Sequence, residues 1–293
     1  MTKWTTADLP DMSGRTVVIT GASGGIGLIT ARELARAGAN VVLAVRTVSK
    51  GHKAAATIPG RTEVRELDVS DLASVRRFAS EWTGPIDVLI NNAGIMNVPP
   101  ARTADGFESQ MATNYIGPFA LTNLLLPHIT DRVVSVSSQL HRLGKPHAED
   151  LTAQNRPYKA LNAYYDSKLN VVLFSTELQR RLTALGSTVK SIVAHPGIAS
   201  TNLVSHTFSG RVMFSSLRFL LNDAEHGALP SLFAATQDIP GNSYVGPNGL
   251  GSIKGHPTIR KPATAGLDPR TATRLWAHTA QLTGTGTQLP AIA

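Results

Sequence analysis

Residues 20–27 read Thr20-Gly21-Ala22-Ser23-Gly24-Gly25-Ile26-Gly27, directly after an apolar run and directly before a helical pattern. Glycines let a backbone turn sharply and approach a pyrophosphate, and the free N–H groups of a helix N-terminus then receive its charge. Gly21, Ser23, Gly24, Gly25, Ile26 and Gly27 are therefore candidates for holding a phosphate. The same run also fits G-x-S-x-G, the nucleophile elbow of serine hydrolases, with Ser23 as nucleophile and His195 or His226 downstream as a base. That elbow needs an earlier loop to build half of its oxyanion hole, and only twenty residues precede Gly21.

Further candidates follow in order. Asn91-Asn92-Ala93-Gly94 closes one apolar run and Ser137-Ser138 another. Asn114 sits inside a helical pattern, where asparagine is a poor former. Tyr164 and Lys168 are four apart in a long helical stretch, so a hydroxyl and a cation share one face. Pro196-Gly197 and Thr201 follow a further apolar run. Each feature alone reads as a turn, a cap or a surface contact. Their conjunction carries the weight, because each falls at the carboxyl end of a strand or on a neighbouring helix. That is the edge where an open α/β sheet binds its ligand.

The positioning elements alternate. Strands are expected at Thr16–Thr20, Asn40–Val45, Glu63–Asp68, Asp87–Asn91, Arg132–Ser137, Thr188–Ala194 and near Ser243–Val245. They are short, rich in Val and Ile, and apolar on both faces, the pattern of parallel strands covered from both sides. Helices are expected at Gly25–Ala37, Val48–Thr57, Asp71–Trp82, Phe107–Leu126, Ala160–Leu185 and Glu225–Thr236, with a last one opening at the Asp268-Pro269 cap. The expected fold is α/β: a Rossmann-like doubly wound parallel sheet of about seven strands with helices on both faces. One domain is expected over 1–293, with a polar leader at 1–13 and an apolar excursion at 203–222.

Composition narrows the chemistry. Among 293 residues there is no cysteine, which excludes disulfides, thiolate metal sites and cysteine nucleophiles. The nine histidines include no pair at three- or four-residue spacing, so no metal site is expected. The net charge of +8 is carried mainly by residues 151–293, with 13 Lys/Arg against 6 Asp/Glu. No basic run exceeds two residues and aromatics are 5%, so a basic soluble surface is expected rather than a nucleic-acid groove. No stretch is apolar for long enough to span a membrane, and the first residues lack the apolar core of a secretory signal. A cytoplasmic location is the expectation.

Taken together, TGASGGIG at 20–27, NNAG at 91–94, Asn114, VSVSS ending at Ser138, YYDSK at 164–168 and PGIAST at 196–201 resemble the short-chain dehydrogenase/reductase family over about residues 13–283. The long gap from Ser138 to Tyr164, VRTVSKG at 45–51, NYIGPFALTNLLLP at 114–127 and SKLNVVLF at 167–174 are similar to its retinol-dehydrogenase-like and WW-domain-oxidoreductase branch. Ser23-Gly24 and Asn170 depart from that branch, which usually has Asn-Ser and Ala there. The resemblance implies an alcohol–carbonyl oxidoreductase. Tyr164 would exchange the alcohol proton, and Lys168 would lower the Tyr164 pKa and hold the nicotinamide ribose. Ser138 would hydrogen-bond the substrate carbonyl, and Asn114 would support a water leading to Lys168. Asp68 and Val69 would lie at the adenine, Asn91, Ala93 and Gly94 under the ribose, and Pro196, Gly197, Ile198 and Thr201 near the carboxamide.

Cofactor preference follows from the end of the second strand. NAD users commonly carry an acid there for the ribose 2′-hydroxyl. This chain has Ala44-Val45-Arg46, a cation that can fork onto a 2′-phosphate, so NADP(H) is expected rather than NAD(H). The expected partner is a lipophilic small molecule, walled by the 203–222 excursion acting as a lid. The helices at 107–126 and 160–185 form dimer faces in many relatives, so a homodimer or homotetramer is compatible. A cofactor-sensing, non-catalytic member of the family is the alternative, although such proteins tend to lose the tyrosine or lysine retained here.

Overall fold

The computed structural model describes residues 3–154, 156–197, 223–287 and 289. Among the described residues eight strands form one sheet in the order β3-β2-β1-β4-β5-β6-β7-β8. They are β1 (Thr16–Thr20), β2 (Asn40–Val45), β3 (Thr62–Glu66), β4 (Ile86–Asn91), β5 (Ile129–Val136), β6 (Lys190–Ala194), β7 (Tyr244–Pro247) and β8 (Pro257–Arg260). The first seven pair in parallel. Strand order reverses between β1 and β4, so a crevice opens at their carboxyl ends, the place where such sheets take a ligand.

Seven helices of eight or more residues flank the sheet: α1 (Gly25–Arg36), α2 (Val48–Ala55), α3 (Leu72–Ser80), α4 (Gly117–Leu125), α5 (Ala160–Ala184), α6 (Ala224–Thr236) and α7 (Pro269–Thr283), counted among the described residues. Each covers one face of the sheet. Apolar residues of α3, α4, α5 and α7 pack on Val18, Leu89 and Val133 from one side. Those of α1, α2 and α6 pack on Val17, Ile19 and Ile90 from the other. Parallel strands buried on both faces need no polar alternation, which is why β1 and β4 read as continuous apolar runs.

Four features differ from the sequence expectation. An eighth strand, β8, closes the sheet antiparallel to β7. The residues read as a leader are docked: Trp4 is 9% exposed and Met12 1%, and Trp4 meets the Phe233 ring edge-on at 5.4 Å. The helix expected at 107–126 is a short turn, Ser109–Met111, then a π-helical turn, Ala112–Ile116, then α4. Pro118 has no N–H for the carbonyl of Asn114 four residues back, so regular α-helical bonding cannot run through this point.

The fourth is Asp68, expected inside the third strand, which lies past the end of β3. The two helices named for self-association both pack against α7. Trp276 stacks on Phe174 at 5.7 Å and meets Phe119 edge-on at 4.8 Å. The Tyr115 hydroxyl bonds Thr279 Oγ1 at 2.6 Å.

Candidate active site

The glycine turn leaves β1 and enters α1. Gly21 has φ 68° and a Cβ there would lie 3.0 Å from Ala93 Cα, so only glycine lets this turn lie on the 91–94 turn. Gly24 caps α1 in extended conformation with no side-chain hydrogen bond, and a Cβ on it would meet nothing within 4 Å. The first N–H groups of α1, at Gly25, Ile26 and Gly27, thus have no side-chain cap, and the space beside Gly24 is open. This is a fitting cradle for a pyrophosphate.

The two turns are stitched together. Thr20 Oγ1 accepts from Asn92 N at 3.0 Å and Ala93 N at 2.9 Å. Asn92 Nδ2 donates to the Thr20 carbonyl at 2.8 Å. Asn91 turns the other way: it is buried, and its Nδ2 donates to Thr122 Oγ1 at 2.9 Å. Its side chain anchors α4 and offers the crevice only backbone. At Gly94 a Cβ would fall 3.1 Å from Asn114 Oδ1 and 3.4 Å from Lys168 Nζ, so this position is where the two polar side chains converge.

Asn114 lies on the π-helical turn and is fully engaged. Its Oδ1 accepts from Ile95 N at 2.8 Å, and its Nδ2 donates to the Ile95 carbonyl at 3.0 Å and to Ser167 Oγ at 2.9 Å. Ser167 Oγ in turn donates to the Tyr164 carbonyl at 2.7 Å. Ser137 Oγ donates to the Lys168 carbonyl at 2.8 Å. Side chains from the turn after β5, from α5 and from the π-helical turn therefore fix the segment that carries Tyr164 and Lys168.

Tyr164 and Lys168 are both buried, 4% exposed each. Burial pushes the Tyr164 hydroxyl up to about 12, its hydrogen bond with Ser138 pulls it down, and nearby Tyr165 adds to the rise. Burial draws the Lys168 ammonium down to about 8. Lys168 Nζ donates to the Val136 carbonyl at 2.9 Å and lies 5.8 Å from the centre of the Tyr164 ring. Burial therefore dominates the Tyr164 hydroxyl, and Ser138 is the group that draws it down. What the arrangement offers is a neutral tyrosine whose hydroxyl is influenced by the Ser138 side chain, beside a buried ammonium.

At the far end of the crevice Arg46 is 75% exposed, with Nε 4.0 Å from Asp68 Oδ2. Asp68 lies past the end of β3 in a turn closed by Ser70, whose N–H donates to Asp68 Oδ1 at 2.9 Å. Val69 is buried, with its carbonyl packed against Gly117. Pro196 and Gly197 follow β6. Ile198, Thr201 and the 203–222 segment lie outside the described residues.

The rival reading at Ser23 finds no support in its surroundings. Among the described residues no histidine bonds Ser23. His195 Nδ1 accepts from Gly197 N at 3.2 Å and its ring stacks on Tyr244, while His226 pairs with Asp223 at 2.8 Å. Among the described residues no three His, Asp or Glu side chains gather as metal ligands. A pocket of ≈ 480 Å³ opens elsewhere, lined by Tyr165, Asn162, Asp166, Arg156 and Lys145. It contains none of the converging groups, so its size does not mark the chemistry. Sequence reasoning gave no separate role to Ser137 or Ser167 and passed over His141, since a serine or histidine in a buried element carries no distinguishing pattern.

The short chain dehydrogenase family matches residues 15–211 of the chain. This protein belongs to the short-chain dehydrogenase/reductase family. The dehydrogenase is 40% identical to retinol dehydrogenase 13 of Homo sapiens, over 92% of this chain and 85% of that one. Its fold is similar to that of an uncharacterized protein from Mycobacterium paratuberculosis, with TM-score 0.87 and 51% identity, covering 99% of this chain and 100% of the other. It is also similar, at TM-score 0.60 and 25% identity over 77% and 91% of the two chains, to a structure from Beutenbergia cavernae described as NAD(P) dependent and solved with bound NADP. The dehydrogenase is therefore an oxidoreductase of CH–OH groups that uses a nicotinamide cofactor.

Proposed function

We propose that this dehydrogenase interconverts an alcohol and a carbonyl on a lipophilic small molecule with NADP(H), using Ser138, Tyr164, Lys168 and Asn114. The observation that carries the reading is the convergence of Asn114 Oδ1 and Lys168 Nζ at Gly94, with the buried Tyr164 ring 5.8 Å from Nζ and Ser138 acting on its hydroxyl. The lipophilic substrate class rests on the likeness to retinol dehydrogenase 13. Among the described residues no helix is long and apolar enough to cross a membrane, which is compatible with the cytoplasmic location expected from the sequence.

When bound, the nicotinamide supplies or takes the hydride. Gly21, Ser23, Gly24, Gly25, Ile26 and Gly27 would hold its pyrophosphate at the start of α1, and Asp68 and Val69 would flank the adenine. The backbone of Asn91, Ala93 and Gly94 would run under the ribose, with Pro196, Gly197, Ile198 and Thr201 at the carboxamide. In reduction, Ser138 Oγ hydrogen-bonds the carbonyl oxygen and Tyr164 Oη gives it a proton. A hydroxyl held near 12 is the neutral donor this direction needs. In oxidation the same hydroxyl must release its proton first. Lys168 and the positive charge of the oxidised cofactor then favour the phenolate. Asn114 holds Ile95 against Ser167, so that Tyr164 and Lys168 keep one register.

The NADP(H) preference rests on Arg46. A charge-assisted hydrogen bond contributes about 1.5–3 kcal/mol, or about ten- to over a hundredfold in affinity. Arg46→Ala is expected to weaken NADPH binding by about tenfold or more in a fluorescence titration and to leave NADH nearly unchanged. Equal losses for both, or a wild-type preference for NADH, would contradict the assignment.

A further inference from the structure

Behind Ser138 lies a buried polar cluster that the reaction as described does not use. His141 is fully buried, on the 3₁₀ turn Gln139–Leu143 that follows β5. Its ring nitrogens are both occupied. Ala263 N donates to Nε2 at 2.9 Å. A backbone N–H can only donate, so Nε2 must carry the lone pair and Nδ1 the proton. Nδ1 lies 2.7 Å from the Ser138 carbonyl, which it therefore bonds as donor. The same carbonyl takes the His141 backbone N–H at 3.0 Å. Tyr244 Oη, 3.3 Å from Nδ1, can only be a second, weaker acceptor.

The next residue repeats the link. Arg142 donates to the Lys261 carbonyl at 2.5 Å. Two consecutive side chains thus grip the segment between β8 and α7, and one of them grips Ser138 as well. Ser138 itself is held in extended conformation, its Oγ accepting Leu140 N at 3.2 Å while touching Tyr164. Burial keeps the imidazole neutral near pH 7, drawing it down to about 4, so Nε2 stays available to Ala263.

We infer that His141 is a positioning residue of the reaction: through Nδ1–H on the Ser138 carbonyl it fixes where the Ser138 hydroxyl meets the substrate oxygen. This rests on Ser138 acting as proposed above. The tether to Ala263 fixes the ring, and the ring fixes the serine. A displacement of about 1 Å in such a group can cost a hundredfold in rate. His141 touches neither substrate nor cofactor, so the effect should fall on turnover rather than on cofactor affinity.

Two substitutions separate the roles of the nitrogens. The amide nitrogen of Asn falls close to Nδ1 of histidine, and the amide group of Gln reaches closer to Nε2. His141→Asn should keep the donor to Ser138 and hold kcat within a few-fold of wild type. His141→Gln should lose it and lower kcat by about tenfold or more, with NADPH Kd unchanged. His141→Leu should behave like His141→Gln if it folds, and the Asn and Gln pair decides if it does not. Equal kcat for Asn and Gln, or a loss confined to NADPH affinity, would overturn the inference. A failure of the underlying reading would look different: Ser138→Ala would then turn over like wild type, whatever the His141 variants did.

Discussion

Tyr164→Phe should lose about 10²–10⁴-fold in kcat, the typical cost of removing a general acid–base, while binding NADPH as before. Tyr165→Phe should stay within a few-fold of wild type. Both rings sit on α5, but successive helical residues are turned by about 100°. Tyr164 is buried against Ser138, whereas Tyr165 lines the separate pocket with Lys145 and Asn162. Lys168→Ala should lower both turnover and NADPH affinity, because the buried ammonium stands between Tyr164 and Gly94. Steady-state rates with a cofactor titration on each variant check this. Normal turnover in Tyr164→Phe with loss in Tyr165→Phe would place the chemistry on the wrong face of the helix.

Trp276→Ala should destabilise the fold by about 3–5 kcal/mol, the usual range for emptying a buried tryptophan site. The residue is 2% exposed. It stacks on Phe174, meets Phe119 edge-on, and carries the Arg181 guanidinium 4.6 Å over its ring. Its Nε1 donates to the Gly286 carbonyl at 2.8 Å. Whole domains are stable by about 5–15 kcal/mol, so this loss is a large fraction. Denaturant titration should show it as a lower midpoint, and the folded fraction should keep wild-type kcat, since Trp276 touches none of the site residues. A change below about 1 kcal/mol would mean that α7 rests on the sheet without holding it.

The parallel core was legible because burial on both faces writes itself as Val and Ile runs. Strands β1, β2 and β4 follow that rule. β8 does not: Thr258 is half-buried while Ile259 and Arg260 are exposed, so four residues at a sheet edge carry neither an apolar run nor a clean alternation. Asp68 was expected inside a strand and lies beyond it, because its carboxylate bonds Ser70 and closes a turn. The helix around Asn114 was expected to be regular; the missing N–H of Pro118 is visible in the sequence, but the π-helical turn it accompanies is a tertiary outcome. At the candidate site, motif order singled out Ser138, Tyr164 and Lys168 together with the glycine turn. It could not tell that Asn91 faces inward to Thr122, nor that burial rather than Lys168 dominates the Tyr164 hydroxyl. Those depend on which side chains surround each group across distant strands.

Wild-type enzyme and Tyr164→Phe are mixed with NADPH and a panel of lipophilic aldehydes and ketones that includes retinal, and loss of the reduced-nicotinamide absorbance is followed. NADPH-dependent reduction of at least one lipophilic member by the wild type, collapsed in Tyr164→Phe with NADPH binding intact, is the expected result. Tight NADPH binding with no turnover of any carbonyl or, in reverse, of any alcohol would contradict it and mark a protein that senses the cofactor without using it.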